Sequence, residues 1–345
     1  MKKVAIITVQ NSLNYGAYLQ AYALSKTCSE INKNTYFINT KARKPYKETF
    51  KQIVKALLNF NFKKIGYELT LIKKYKKAWK EFKIISPKDI DKEDICITGS
   101  DEIWNISRKE MLNFPIFFGI GVNTNNIVSY APSCNTTSIE LFKKNPQLIE
   151  ALKKFKAISV RDNHTKDVVS ELIGKDIIKV LDPTLLKTKY YYKTKEKIVD
   201  INGKYILVYS YSDDIKPDEV KQIKEYATKN DLKLVAVGLH LNWCDINIAA
   251  SPMEFLGLVD KAEKIITSTF HGTIFSFIYR KNFIVYPGNK NKVLNFLEDW
   301  NLQDRSTKIK KFTDIVEEEI NYDIIESKIN KEIEKSKQYI KNILK

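Results

Sequence analysis

The sequence has few of the residues from which metal and redox sites are built. Its 345 residues include only four cysteines and three histidines. The cysteines are far apart, and no pair has the CxxC spacing of zinc sites and redox motifs, so we expect neither a metal site nor a redox motif. They stand at Cys28, Cys96, Cys134 and Cys244. Cys96 lies inside an apolar run and is expected to be a thiol of the core.

Two further absences narrow the function. No GxGxxG motif occurs, which argues against a Rossmann site for a nicotinamide or flavin cofactor. No apolar run approaches the ~20 residues that span a bilayer. The apolar run after Met1-Lys2-Lys3 is too short for a signal peptide, and we expect it to form a first buried strand. These features predict a cytoplasmic protein.

Negative charge is also in deficit, since 58 Lys and Arg stand against 41 Asp and Glu, for a net charge of +17. The excess is concentrated in residues 41–90, and residues 71–82 combine lysines with Tyr75, Trp79 and Phe82. Such a helix is typical of a contact with a membrane surface, an anionic substrate or nucleic acid. No RRM, zinc-finger or helix-turn-helix pattern supports nucleic acid. We expect either a peripheral membrane contact through residues 71–82, at the inner face of the cell membrane, or a solvated lysine face.

Short β-branched runs alternate with helical patterns along the chain. This alternation predicts an α/β protein with parallel sheets, and the length suits two domains. The polar stretch Leu186–Gly203 has no strong period and is interpreted as the linker. We place one domain at 1–187, with a basic helical insertion at about 41–90, and the second at 203–312. Residues 313–345 have apolar residues at helical spacing, which predicts an amphipathic C-terminal helix packed on one face.

Two candidate segments directly follow predicted strands. In Asn14-Tyr15-Gly16, the glycine permits a close backbone approach at a helix start; the alternative is a helix whose small residues pack on the sheet. In the segment from Thr98 to Asn105, Ser100 and Asp101 are good helix caps. Capping leaves Trp104 and Asn105 unexplained, and we expect these to line a cleft. Parallel sheets bind ligands at the carboxyl ends of their strands, which is where this segment begins.

Arg161 follows a further predicted strand. A guanidinium there can bind a carboxylate or a phosphate through two parallel hydrogen bonds. The alternative is an ion pair with Asp162 or Asp182. Asp182 itself, in Leu181-Asp182-Pro183, is interpreted as a capping or cleft-lining residue.

His271 has the setting best suited to chemistry. An apolar run ends in Thr267-Ser268-Thr269, and His271 then stands where an apolar-periodic helix begins. Backbone N–H groups and the positive end of the helix dipole bind anions at such a turn. A histidine with a pKa near neutral can also donate and accept a proton within one cycle. The alternative is a histidine with a purely structural role.

Six motifs in order together resemble the polysaccharide pyruvyl transferase family, over about residues 1–305. They are Asn14–Leu24, Thr98–Asn105, Ser129–Ser133, Ile158–Asp162, Val180–Thr184 and Ser268–Thr273. The resemblance implies a GT-B-like fold, in which two Rossmann-like domains with parallel sheets face each other across a cleft. It also implies phosphoenolpyruvate as donor, a saccharide as acceptor, a pyruvate ketal of a cell-surface glycan as product, and no metal or other cofactor.

The resemblance assigns residues to roles, with the acceptor on the N-terminal side and the donor on the C-terminal side. His271 is expected to contact phosphate and transfer a proton, and Asp101 is a candidate base or acceptor ligand. The expected donor-binding residues are Arg161, Ser268, Thr269, His271, Gly272 and Lys292. The expected acceptor-binding residues are Asn14, Tyr15, Gly16, Ser100, Trp104 and Asn105.

One position departs from the family pattern. Some members carry Arg-Leu-His where this chain has Thr269-Phe270-His271, and we hypothesise that Lys292 supplies the missing charge. Two other functions share the fold. One is a GT-B glycosyltransferase that uses a nucleotide sugar, against which the lack of a strong acidic ribose-binding pattern argues. The other is a non-catalytic relative that binds a glycan or a membrane.

Overall fold

The computed structural model describes residues 2–40, 46–211 and 214–345. Five parallel strands form a first sheet in the order β3-β2-β1-β4-β5. The strands are β1 (Val4–Ile7), β2 (Thr35–Ile38), β3 (Ile84–Ile85), β4 (Ile95–Thr98) and β5 (Asn126–Ser129). All residues of β1 and β4 are buried, as expected for strands covered on both faces. From β1 the chain adds β2 and β3 on one side and then returns to add β4 and β5 on the other, so a topological switch point lies between β1 and β4.

Helices cover this sheet, and two further short strands pair with each other in parallel. The helices are α1 (Tyr15–Ile31), α2 (Lys47–Leu58), α3 (Phe62–Ala78), α4 (Lys109–Leu112), α5 (Ile139–Lys143), α6 (Pro146–Lys153) and α7 (Asn163–Ile173). The paired strands are β6 (Ser159–Val160) and β7 (Ile178–Lys179). Residues 41–45, the start of the predicted basic insertion, lie outside the described residues.

The second half repeats the arrangement, with five parallel strands in the order β10-β9-β8-β11-β12 and a switch point between β8 and β11. The strands are β8 (Tyr205–Tyr209), β9 (Lys233–Val237), β10 (Ile246–Ile248), β11 (Lys264–Thr267) and β12 (Asn282–Val285). The helices are α8 (Lys189–Lys193), α9 (Pro217–Lys229), α10 (Pro252–Lys261), α11 (Phe270–Ile278), α12 (Asn291–Asp299), α13 (Phe312–Ile315) and α14 (Asp323–Ile343). The predicted α/β class with two parallel sheets is confirmed.

One hydrophobic cluster runs through both halves. Tyr15 of α1 stacks on Phe255 of α10, with ring centroids 4.4 Å apart, and meets Tyr209 of β8 edge-on at 5.5 Å. The Tyr15 hydroxyl donates a hydrogen bond to the Ala250 carbonyl. The interface between the halves is therefore built like a core, around the first turn of α1.

Two expectations about surface segments need correction or refinement, and a third is confirmed. The predicted linker Leu186–Gly203 contains α8, whose Tyr192 is fully buried, so part of it is packed structure. In residues 71–82, Leu71, Tyr75 and Phe82 face the interior, which leaves lysines on the outer side. The predicted C-terminal helix is present as α14. Across the described ranges, no helix combines the length and apolar character needed to cross a membrane.

Candidate functional site

The two switch points bring the predicted catalytic residues together. Asp101 follows β4 by three residues, and His271 lies in the first turn of α11, just after β11. Arg161 follows β6, and Asp182 follows β7 by three residues. Side chains from four separate strand ends therefore meet where the carboxyl edges of the sheets face each other.

The carboxylate of Asp182 holds this cluster together. Its Oδ2 accepts a hydrogen bond from Arg161 Nη1 at 3.0 Å and lies 3.5 Å from His271 Nε2. Its Oδ1 accepts hydrogen bonds from the backbone N–H and the hydroxyl of Thr184. Burial alone would raise the pKa of Asp182, but His271, Arg161 and Thr184 outweigh it and hold that pKa well below its usual range. Asp182 is thus a fixed negative charge that Arg161 hydrogen-bonds and that lies beside the His271 imidazole.

Arg161 is buried, and only part of its guanidinium group is engaged by the described residues. Nη1 binds Asp182 and lies 3.8 Å from Asp101 Oδ1, and the guanidinium stacks over Phe270, 4.6 Å from the ring centroid. Nη2 is buried and has no hydrogen-bond partner among the residues that the structure describes. Arg161 also lines a cleft of 720 Å³, together with Asp182, Phe270 and Lys292. A planar donor held from behind by a carboxylate is well suited to bind an anion entering this cleft.

His271 is positioned by two helix starts. Thr269 caps α11 by accepting a hydrogen bond from the Gly272 N–H at 2.9 Å. The imidazole lies against Gly16 in the first turn of α1, so closely that a Cβ on Gly16 would stand 2.0 Å from Nδ1. The first N–H groups of both helices lack intrahelical partners, and both dipoles point their positive ends here. The surroundings of His271 therefore favour a bound anion.

Lys292 reaches the same cleft from α12 but is paired. Its ammonium binds the carboxylate of Glu102, which also binds Arg108 at 3.1 Å, and it lies 5.9 Å from the Phe270 ring centroid. Burial alone would raise the pKa of Glu102, but Lys292 and Arg108 outweigh it and lower it to about 2. The predicted extra cation is thus in the cleft beside Arg161, and an ion pair with the first half holds it.

The small residues after β11 are engaged within the protein. The Ser268 hydroxyl accepts hydrogen bonds from the Ser210 hydroxyl and from the Tyr211 N–H, both at 3.0 Å. A Cβ on Gly272 would stand 2.1 Å from Thr267 Oγ1, so only glycine fits there. Ser268, Thr269 and Gly272 thereby shape the turn that presents His271, and their contact with a donor stays a prediction.

Three of the predicted acceptor-binding residues lie in the interior. Trp104 is 0% exposed, and its indole N–H donates to the Phe117 carbonyl. Asn105 is 3% exposed and hydrogen-bonds with Glu102 and Thr137, while Ser100 is 0% exposed and donates to the Ala131 carbonyl. The prediction that Ser100, Trp104 and Asn105 line the acceptor cleft is therefore wrong. Asp101, with a positive φ of 77°, is the residue of this loop that turns toward Arg161.

The first turn of α1 lies beside a second, smaller cavity. Asn14 caps α1 by accepting from the Ala17 N–H at 2.9 Å, and together with Tyr15 it lines a cavity of 80 Å³ that Thr269 also lines. Gly16 contacts His271, as described above. The structure therefore brings Asn14, Tyr15 and Gly16 next to residues predicted for the donor side.

Sequence reasoning missed Phe270, Glu102 and Arg108. Phe270 looks like a core residue of an apolar helix, and its place beneath Arg161 depends on how the halves meet. Glu102 lies in the segment from Thr98 to Asn105, in which the sequence analysis gives roles to other residues and none to Glu102. Glu102 accepts a hydrogen bond from Asn105, three residues along the chain, but no local sequence pattern indicates its main partners, Lys292 and Arg108.

Comparisons with known proteins give the following results. A family model described as polysaccharide pyruvyl transferase matches residues 14–289. No curated protein matches the chain. Among solved structures, UDP-GlcNAc 2-epimerase from Neisseria meningitidis bound to UDP-GlcNAc is 13% identical, covers 100% of this chain and 99% of its own, and has a TM-score of 0.50. UDP-GlcNAc 2-epimerase from Methanocaldococcus jannaschii is 10% identical, covers 93% of each chain and has a TM-score of 0.49. The likeness to the Neisseria structure concerns the fold alone, and it agrees with the GT-B-like arrangement of two Rossmann-like domains in this chain.

Proposed function

The chain belongs to the polysaccharide pyruvyl transferase family, and from this membership we propose that it transfers the enolpyruvyl group of phosphoenolpyruvate onto a saccharide. The product is a pyruvate ketal, formed during biosynthesis of a cell-surface polysaccharide. The acceptor is a lipid-linked or nucleotide-linked saccharide, and the reaction takes place in the cytoplasm. Phosphoenolpyruvate is the co-substrate, and no metal or other cofactor is required.

The unpartnered Nη2 of Arg161 is the observation that carries this proposal. A buried guanidinium N–H without a partner is costly, and an anion in the cleft would satisfy it. Phosphoenolpyruvate offers a carboxylate and a phosphate; Phe270, the first residue of α11, and Lys292 line the same cleft as Arg161, and on this proposal the helix N-terminus and the lysine bind the second anion. On this proposal, Lys292 replaces the arginine that some family members carry at the position of Thr269.

The proposed reaction needs a group that donates a proton and a group that accepts one. Protonation of the terminal carbon of phosphoenolpyruvate makes a methyl group and leaves positive character on the neighbouring carbon. A sugar hydroxyl attacks that carbon and loses its proton; phosphate then leaves, and a second hydroxyl closes the ketal and loses its own. His271, held against Asp182, delivers the first proton and binds the phosphate. Asp101, partly exposed and 3.8 Å from Arg161, accepts a proton from the acceptor.

Thermal unfolding with phosphoenolpyruvate tests the donor site. A ligand at about 100 times its Kd stabilises the native state by about 2.7 kcal/mol. We expect this stabilisation in the wild type and its loss in Arg161→Lys, which keeps the charge but not the planar fork. Lys292→Gln should weaken binding about tenfold, a typical loss for a charge-assisted hydrogen bond. The matched control is Lys290→Gln, since Lys290 also binds a carboxylate near the start of α12 but pairs with Asp214 outside the cleft.

The same measurement separates the main alternative, a GT-B glycosyltransferase that uses a nucleotide sugar. The Neisseria epimerase, which shares the fold, was solved with UDP-GlcNAc. Stabilisation by a UDP-, GDP- or CDP-sugar, without any response to phosphoenolpyruvate even when that sugar is present, would contradict pyruvyl transfer. Binding of a saccharide alone would favour a non-catalytic relative.

A further inference from the structure

The hairpin of α2 and α3 has an apolar face turned to solvent. Phe50, Val54, Leu57 and Leu58 follow one another at the i, i+4, i+7, i+8 spacing of a single helix face, and all four are exposed. The face continues through the turn, where Phe60 is 79% exposed and Phe62 is 70% exposed. We call these six residues the apolar tip.

The apolar tip is additional to the face that α2 needs for folding. Thr49 and Ala56, on the other side of α2, are buried, so the helix already packs onto the protein there. Contiguous exposed apolar side chains on a protein surface mark a site of interaction with another surface. Among the residues that the structure describes, none covers the tip.

Charge distinguishes between possible occupants. From Thr49 to Tyr67 the sequence has four lysines and no acidic residue, and Lys55 and Lys63 are exposed beside the tip. A second copy of a chain with net charge +17 would bring like charges together. Apolar side chains rimmed by lysines instead match a lipid surface with anionic headgroups, where the apolar groups enter the acyl boundary and the ammonium groups meet the headgroups.

We propose that the apolar tip docks the protein onto an anionic membrane surface. The contact is placed at residues 50–63 instead of 71–82, because Tyr75 and Phe82 of the latter stretch are buried and Trp79 is partly buried. Helix α3 then runs from the tip to the site, since Leu71 and Tyr75 line the 80 Å³ cavity beside Thr269. Tyr75 is 13 residues beyond Phe62, so a rise of 1.5 Å per residue puts that cavity roughly 20 Å from the tip. This proposal does not depend on which group the enzyme transfers.

Vesicle co-sedimentation of the full chain tests the docking. We expect the wild type to sediment with vesicles of phosphatidylglycerol and phosphatidylcholine, and more weakly with phosphatidylcholine alone. The triple variant Leu58→Gln, Phe60→Gln, Phe62→Gln should reduce the partition coefficient about tenfold or more. Its matched control is Tyr190→Gln, Ile309→Gln, Ile324→Gln, which removes three equally exposed apolar residues elsewhere and should bind as the wild type does.

The same vesicle assay tests the contribution of the lysines beside the apolar tip. Lys55→Gln with Lys63→Gln should weaken binding to the anionic vesicles by about fivefold for each lysine, and the loss should shrink as salt is raised. The control pair is Lys224→Gln with Lys229→Gln, two exposed lysines of α9. All substituted residues are at the surface, and an unchanged unfolding midpoint verifies that each variant is folded.

Three results would overturn the proposal. The first is a wild type that does not sediment with anionic vesicles, and the second is a triple variant that sediments as well as the wild type. The third is a wild type that forms a concentration-dependent dimer which the triple variant abolishes, since the tip would then be a contact between copies. Because the assay contains no phosphoenolpyruvate, failure here leaves the proposed reaction untouched.

Discussion

At the scale of single residues, two buried carboxylates organise the cations of the site. Asp182 holds Arg161 and stands beside His271, and Glu102 holds Lys292 and Arg108. Each carboxylate is buried, so its charge is tolerated only because its partners surround it. The two ion-pair groups therefore determine where positive charge is available in the cleft, and they should also make the fold sensitive to acid.

Glu102→Gln tests this at one position. The folded pKa of Glu102, about 2, lies below the ordinary value of about 4.3 for the unfolded chain. Its stabilisation is therefore present above pH ~4.3 and is lost as the pH falls toward 2, because the unfolded chain takes up the proton first. We expect Glu102→Gln to lower the free energy of unfolding by about 1–3 kcal/mol at pH 7, with the difference from wild type shrinking in acid. Urea unfolding at pH 7, 5 and 3 measures it.

Glu150→Gln is the control for that series, because Glu150 pairs with Lys153 on the surface. Its effect should be about 0.5 kcal/mol or less at each pH. A difference between Glu102→Gln and wild type that stays constant from pH 7 to pH 3 would show that the carboxylate is not held in its charged form.

Residue chemistry was more predictable from the sequence than residue orientation. The ion pair of Arg161 with Asp182 was one of two stated alternatives, and the structure selects it, since Asp162 instead caps α7 through the Thr165 N–H. Trp104 was correctly placed after a strand but wrongly turned toward the cleft. Position at a strand end follows from local pattern, whereas the direction of a side chain depends on packing against Phe118 and Phe155, which are distant in sequence.

At the scale of elements, the central strands and long helices follow the sequence pattern most closely. The sequence pattern predicts strands at Tyr205–Tyr209, Lys233–Val237 and Lys264–Thr267 and a helix at Pro217–Lys229, and these are the bounds of β8, β9, β11 and α9. The short edge strands β3 and β10, of two and three residues, were not predicted, because a run of so few residues is too short to show a hydrophobic periodicity. The burial of Tyr192 in the predicted linker was missed for a different reason, since its partner Phe275 lies 83 positions further along the chain.

Gly16→Ala tests the contact between the first turn of α1 and His271. A Cβ there would stand 2.0 Å from Nδ1, so the imidazole must move. We expect the variant to lose the stabilisation by phosphoenolpyruvate and about 1–3 kcal/mol of unfolding free energy. Gly66→Ala on α3 is the matched control, because a Cβ at Gly66 meets nothing within 4 Å. It should leave ligand binding intact and be neutral or stabilising by about 0.5–1 kcal/mol. Full ligand response in Gly16→Ala would remove His271 from the donor site.

At the scale of the whole molecule, the last helix joins the first half to the second. Helix α14 is anchored to the second half where Glu326 binds Arg280 at 2.7 Å. Further along, the Ser336 hydroxyl accepts from the Leu181 N–H, and the Tyr339 hydroxyl donates to the Ser129 carbonyl, both in the first half. Lys328, Glu332 and Lys335 of the same helix line the 720 Å³ cleft. The helix thus fixes the two halves around the cleft, in addition to the stacking of Tyr15 on Phe255.

Ile340→Ala tests whether α14 stabilises the molecule as one unit. Ile340 is fully buried in the cluster that runs through both halves, so truncation should cost about 2–5 kcal/mol of unfolding free energy. Because that cluster is continuous, we expect a single transition, with far-UV circular dichroism and tryptophan fluorescence shifting together to a lower urea midpoint. Ile324→Ala, on the same helix but exposed, should change the free energy by about 0.5 kcal/mol or less. If Ile340→Ala instead separated the two signals into distinct transitions, the halves would be independent folding units for which α14 is the main connection, and the Tyr15–Phe255 interface would be too weak to couple them.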